Sequence, residues 1–186
     1  PSSLDGILGL SVMNQFDATE FDFGNGQVHF YRHFKNLPDR SDESSLVAKA
    51  NMNMLGSLGI FSVDAYFGNR GPVSLLVDTG ASCTLLNWDG VRALGLDSNS
   101  PQLSRIQSPF GAVSSENVAI QLTHRLHVSS TIRLGDDDST RGIPMKHRRL
   151  AVDIGNIPLL NNLPGICGIL GIDVLIKCRI MRIACK

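Results

Sequence analysis

The stretch Leu75-Leu76-Val77-Asp78-Thr79-Gly80-Ala81-Ser82 runs from apolar residues straight into an aspartate, then into a hydroxyl residue, a glycine and two small residues. A short apolar run bounded by turn residues reads as a buried strand. The carboxylate therefore leaves a packed element and is positioned rather than mobile. Gly80 lets the backbone turn close enough for neighbouring N–H groups to reach the carboxylate, and Thr79 offers a hydroxyl for a network beneath it. Taken alone, Asp78 reads equally as a turn or helix-capping aspartate, so its surroundings decide.

Those surroundings are mainly β. Gly59–Phe67 alternates apolar and polar residues, and Gly68-Asn69-Arg70-Gly71 then turns the chain into Val73–Val77, which predicts a hairpin. Trp88–Leu94 suits one short helix ending near Gly95. Residues 103–107, 113–121, 125–134 and 147–154 read as further strands. Near the start, Phe21–Phe23 and Gln27–Tyr31 flank Gly24-Asn25-Gly26, a tight-turn signal, and a short helix is expected over Ser11–Phe16. Lys35–Ser45 is polar without an apolar period and reads as a surface linker.

The Asp78-Thr79-Gly80 motif, its Thr84-Leu85-Leu86-Asn87 continuation, the helix ending Arg92-Ala93-Leu94-Gly95-Leu96, and Ile157–Ile166 leading into Gly168-Ile169-Leu170-Gly171-Ile172-Asp173 resemble the retropepsin-like and eukaryotic aspartyl proteases. The likeness covers most of residues 56–186. It implies a closed β-barrel lobe with short helices, two such lobes each contributing one aspartate, peptide substrates, and neither metal nor other cofactor. On this resemblance Asp78, Thr79 and Gly80 are the catalytic loop. The flap over the cleft is expected at Gln107–Ala112, with Ser108, Phe110 and Gly111 against substrate and Gly111 at a flexible tip. Asp173 is expected to brace the turn before the last helix through hydrogen bonds rather than to catalyse.

An internal repeat organises the chain. Leu4-Asp5-Gly6-Ile7-Leu8-Gly9-Leu10-Ser11-Val12-Met13 aligns without gaps on Ile166-Cys167-Gly168-Ile169-Leu170-Gly171-Ile172-Asp173-Val174-Leu175, an offset of 162 residues. That spacing is a domain plus linker. Residues 1–33 are thus expected to be the helix-and-hairpin end of an earlier lobe, 34–55 a linker and 56–186 the retropepsin-like lobe. No second Asp-Thr-Gly or Asp-Ser-Gly occurs. The second aspartate must then come from a homodimer partner or from an upstream segment. The alternative is a non-catalytic protease-fold scaffold, an accessory subunit of a larger assembly such as an organellar membrane complex.

Composition narrows the partners. Lysine plus arginine and aspartate plus glutamate are both 17, so no net field draws the chain to nucleic acid. Its apolar runs fall far short of the roughly 20 residues of a membrane span, and the segment shown carries no signal-peptide pattern, which leaves compartment open. Cys83, Cys167, Cys178 and Cys185 lack metal-site spacing and read as reduced core residues. His124, His127 and His147 are expected to be surface or satisfied side chains rather than zinc ligands. Lys146-His147-Arg148-Arg149 and Asp136-Asp137-Asp138 read as mutually neutralising loop charges, and Met52, Met54 and Leu55 as either core or contact surface.

Overall fold

A computed structural model of the chain describes residues 8–38, 46–55, 59–106, 112–113, 119–128, 131–135, 142–144 and 150–184. The first elements are helix α1 (Leu10–Met13) and strands β1 (Ala18–Asp22) and β2 (Gln27–Tyr31). A 3-10 turn over Phe34–Asn36 follows, then β3 (Asn53–Leu55), β4 (Ile60–Phe67), β5 (Arg70–Val77), β6 (Leu85–Leu86) and helix α2 (Trp88–Ala93). After it come β7 (Leu103–Arg105), β8 (Ala112–Val113), β9 (Ala119–Val128), β10 (Ile132–Leu134), β11 (Leu150–Asn156), β12 (Gly168–Leu170), α3 (Ile172–Leu175) and β13 (Ile180–Ala184). The chain is mainly β with short helices.

The larger sheet runs β10-β4-β5-β12-β6-β11-β9-β7, with β3 beside β4 and β8 beside β9. Its described pairings form an open path rather than a closed ring. At its centre, alternate side chains of neighbouring strands serve two cores. Leu75, Leu86 and Leu170 enter one cluster with Val63, Val152 and Ile154. Leu76, Leu85 and Ile169 enter another with Ile120, Leu122 and Ile157. Strands buried on both faces must be apolar throughout, which is why β5, β6 and β12 read as Leu-Leu-Val, Leu-Leu and Gly-Ile-Leu.

Strand β12 is inserted between β5, to which it is parallel, and β6, to which it is antiparallel. The insertion leaves no room above Gly168, where a Cβ would lie 2.1 Å from Leu85 O. Helix α2 opens with Asn87, whose side chain accepts from the Gly90 N–H, and it ends at Gly95 with φ 68°. Arg70 Nη1 donates to Leu94 O at 2.9 Å, tying the helix end to the β4–β5 hairpin.

Three expectations change. Residues 113–121 and 125–134 do not split as two strands: β9 runs unbroken from Ala119 to Val128, because Leu122, His124, Leu126 and Val128 all point inward. The hairpin reverses after the expected tip at Gly111, since Val113 pairs with Ala119. Asn53–Leu55, placed in the linker by its sequence, is a sheet strand paired with Ser62, Phe61 and Ile60 of β4. Met54 there is 62% exposed, whereas Leu55 packs on the second core.

The smaller sheet has the order β13-β1-β2. The hairpin expected around residues 24–26 is present, its turn held by Asp22, which accepts from Asn25 N at 3.0 Å and from Asn25 Nδ2 at 2.8 Å. These bonds, the side-chain bond first, hold the Asp22 carboxyl below the usual carboxylate range.

Candidate active-site loop

The loop begins where β5 ends. Asp78 N–H donates to Leu170 O at 3.1 Å, and Ile172 N–H donates to Ala81 O at 2.9 Å. The chain on either side of Gly171 therefore straps the Asp78 loop at two points. Gly171 is required by that closeness: a Cβ there would lie 2.6 Å from both Cys83 C and Cys83 O. The Ile-Leu-Gly spelling downstream of Asp78 is the signature of this crossing.

The Asp78 side chain is exposed, and its Oδ1 accepts the Gly80 N–H at 2.8 Å. The turn expected of Gly80 is thus present. Among the described residues no second carboxylate is bonded to Asp78. Thr79 and Gly80 are also exposed, so the hydroxyl floor expected from Thr79 lies elsewhere. It is supplied by Thr84, fully buried, whose Oγ1 accepts from Gly171 N–H at 3.1 Å and donates to Asp173 Oδ1 at 2.7 Å. Asp173 Oδ1 also accepts the Val174 N–H at 2.9 Å, the bracing role expected of it. Sequence reasoning chose Thr79 because it adjoins the aspartate. Thr84 sits at the start of the Thr-Leu-Leu-Asn continuation, and its role becomes visible only once Asp173 is brought to it.

Beside the loop, Arg125 Nε and Nη2 donate to Asp153 Oδ1 and Oδ2 at 2.6 and 3.1 Å, a bidentate pair on adjacent strands. The Cys83 thiol is pushed up chiefly by burial, with the Asp153 and Asp173 carboxylates adding to the effect. Burial also pushes up Cys167 and Cys178. Thiols held protonated are poor nucleophiles. All three are free cysteines, and Cys185 lies outside the described residues.

Ser108, Phe110 and Gly111 also lie outside the described residues, as do Asp136–Asp138 and Lys146–Arg149. His127 is exposed and lies 3.1 Å from Ser104 Oγ. His124 departs from expectation: it is 8% exposed, edge-on to Trp88, and its Nε2 lacks a hydrogen-bond partner among the described residues. No group of three or more potential metal ligands occurs among the described residues. No described helix is long and apolar enough to cross a membrane. A cavity of about 160 Å³ lined by Phe67, Arg70, Leu94 and His127 among others contains no residue of the Asp78 loop.

A family profile described as aspartyl protease matches residues 63–174, from within β4 to within α3, and so includes the loop and both of its straps. A retropepsin-like aspartic protease from Rickettsia conorii aligns at 17% identity over 67% of this chain and 84% of its own, with a TM-score of 0.41. The EIAV protease complexed with the inhibitor HBY-793 aligns at 16% identity over 68% of this chain and 86% of its own, with a TM-score of 0.35. No curated protein sequence matches the chain.

Proposed function

The chain belongs to the aspartyl protease family, and from that premise we propose that it contributes one catalytic half-site, Asp78, to a peptidase completed by a second aspartate-bearing lobe. The observation that carries this reading is the strapped loop: an exposed carboxylate whose own backbone N–H is bonded to Leu170 O and whose Oδ1 is oriented by Gly80. Such a carboxylate is preorganised, with little conformational freedom left to lose when it acts.

Two carboxylates facing one another hold a single proton between them, because adjacent like charges resist joint ionisation. One then takes a proton from the attacking water while the other gives its proton to the peptide carbonyl oxygen. The tetrahedral adduct collapses as the leaving nitrogen is protonated. Asp78 supplies one member of this pair, Gly80 orients it, and the β8–β9 hairpin, with Ser108, Phe110 and Gly111 in the segment leading into it, covers the substrate. The chemistry needs no metal and no covalent enzyme intermediate.

The test is peptide cleavage at acidic pH by the full-length protein, with and without pepstatin. Asp78→Asn, which keeps the shape and removes the titrating group, is expected to lower kcat about a thousandfold or more with little change in folding. Activity untouched by that substitution rejects the assignment. A folded protein without peptidase activity favours a non-catalytic interaction subunit instead.

A further inference from the structure

The two copies of the repeat meet in the smaller sheet. Helix α1 at Leu10–Met13 and helix α3 at Ile172–Leu175 stand at the repeat's own spacing, and so do β1 at Ala18–Asp22 and β13 at Ile180–Ala184. By that spacing Ala18 corresponds to Ile180, Glu20 to Arg182 and Asp22 to Ala184. The antiparallel register pairs Ala18 with Ala184, Glu20 with Arg182 and Asp22 with Ile180. Each residue thus faces the counterpart of the residue across Glu20, so a local two-fold axis passes between Glu20 and Arg182. This is the geometry of a self-complementary interface made here by two unlike copies.

At that axis the copies differ in charge. Arg182 Nε and Nη2 donate to Glu20 Oε2 at 3.0 and 2.6 Å, and Arg182 Nη2 also reaches Pro38 O at 3.4 Å. The Glu20 side chain is fully buried, and that of Arg182 is 28% exposed. If β13 paired with β13 of a second chain in this register, Arg182 would face Arg182. If β1 paired with β1, Glu20 would face Glu20. Like charges directly opposite in a sheet repel, and a buried carboxylate without its cation is strongly disfavoured.

We propose that the Glu20–Arg182 pair is a copy-specificity device: it makes β13 accept the strand of the unlike repeat and reject its own. The lobe seated opposite Asp78 is then the preceding repeat, to which residues 8–31 belong, and not a second Asp78-bearing chain. This rests on the reading that a second lobe completes the site. It resolves that reading's partner as intramolecular, with attraction at the axis for the right copy and repulsion for the wrong one.

The test uses the 186-residue chain at neutral pH, read by sedimentation and by amide hydrogen exchange in β1 and β13. The wild type is expected to be monomeric with both strands protected. Arg182→Glu sets Glu against Glu20: protection in β1 and β13 falls about tenfold or more, and the chain stays monomeric because the freed edge repels its own copy. Arg182→Gln also releases β1, but its freed, neutral β13 edge no longer repels itself and associates into dimers. The exchange of both residues, Glu20→Arg with Arg182→Glu, restores protection and the monomer. The proposal is overturned if Arg182→Glu and Arg182→Gln sediment alike, if the double exchange fails to restore protection, or if the wild type is a dimer with β1 unprotected. Because none of these readouts is activity, the two readings fail separately. An active wild-type dimer would remove the pairing rule and keep Asp78, whereas the expected masses together with cleavage by the full-length protein untouched by Asp78→Asn would do the reverse.

Discussion

Helices α1 and α3 carry related sequences and nearly opposite surroundings. In the second copy, Gly171 is pressed against Cys83, and Asp173 joins Thr84 and the Val174 N–H in a network under the Asp78 loop. In the first copy, the nearest atom among the described residues to a Cβ placed on Gly9 is Ser11 Oγ at 3.8 Å, and Ser11 itself is exposed. A repeated motif therefore encodes the helix and the strand after it by local preference. Its glycine and its polar residue become structurally demanding only where another segment is packed on them. Among the described residues, nothing is packed on the first copy's glycine as Cys83 is packed on Gly171.

The largest difference between the copies is expected from alanine at the two glycines. Gly171→Ala drives a methyl group into backbone and is expected to cost about 3 kcal/mol or more, with peptidase activity lost alongside as the Asp78 loop shifts. Gly9→Ala, with room for the methyl, is expected to cost under about 1 kcal/mol, the range of losing a favourable helix cap. Urea unfolding of both variants measures the gap. Equal losses would mean that the first copy is packed as tightly as the second, and the contrast would fail.

Next in size is the polar position that follows each glycine. Asp173→Ala leaves the buried Thr84 hydroxyl and the Val174 N–H without their acceptor and is expected to cost about 2 kcal/mol, while Ser11→Ala stays within about 0.5 kcal/mol. Thermal melts at one pH are sufficient. A large effect at Ser11 would reveal a partner for it that the second copy lacks.

The smallest effect concerns the strands that follow the helices, where Asp22 of the first copy corresponds to Ala184 of the second. A carboxyl whose folded-state value lies below its unfolded value adds stability at pH above the unfolded value and loses it as pH falls through the folded one. The β1–β2 turn is therefore expected to loosen on the acid side, below the ordinary carboxylate range. Asp22→Asn should abolish that acid-side component while leaving the pH response of the larger sheet unchanged, as followed by amide exchange in Gln27–Tyr31. Persistence of the component in the variant would assign it to another carboxylate.

Much of the site was legible because its features are local. An apolar strand ending in Asp-Thr-Gly, a helix with Asn87 at its start and Gly95 at its end, and a Gly-Asn-Gly hairpin each follow from conformational preferences acting over a few residues. The floor of the site was not legible. Thr84 and Asp173 are 89 positions apart, and nothing near Thr84 in the chain says that an acceptor will arrive there. For the same reason Thr79, the nearest hydroxyl in sequence, was favoured over Thr84, the nearest through the fold. The strand break expected near 121–125 failed because Thr123 and His124 look like a polar interruption. In the sheet, His124 is an inward position covered by Trp88.

By itself, then, the sequence determined the fold class, the place of Asp78, and the existence of two copies of one motif at a fixed spacing, since each depends on periodicity, backbone freedom or repetition. Only the tertiary structure decided that β12 threads between β5 and β6, that Thr84 rather than Thr79 lies beneath the loop, and that β1 meets β13 with Glu20 against Arg182. These are long-range pairings selected by burial and charge complementarity once the chain has closed on itself. Spacing along a sequence carries no distance through space until packing supplies it.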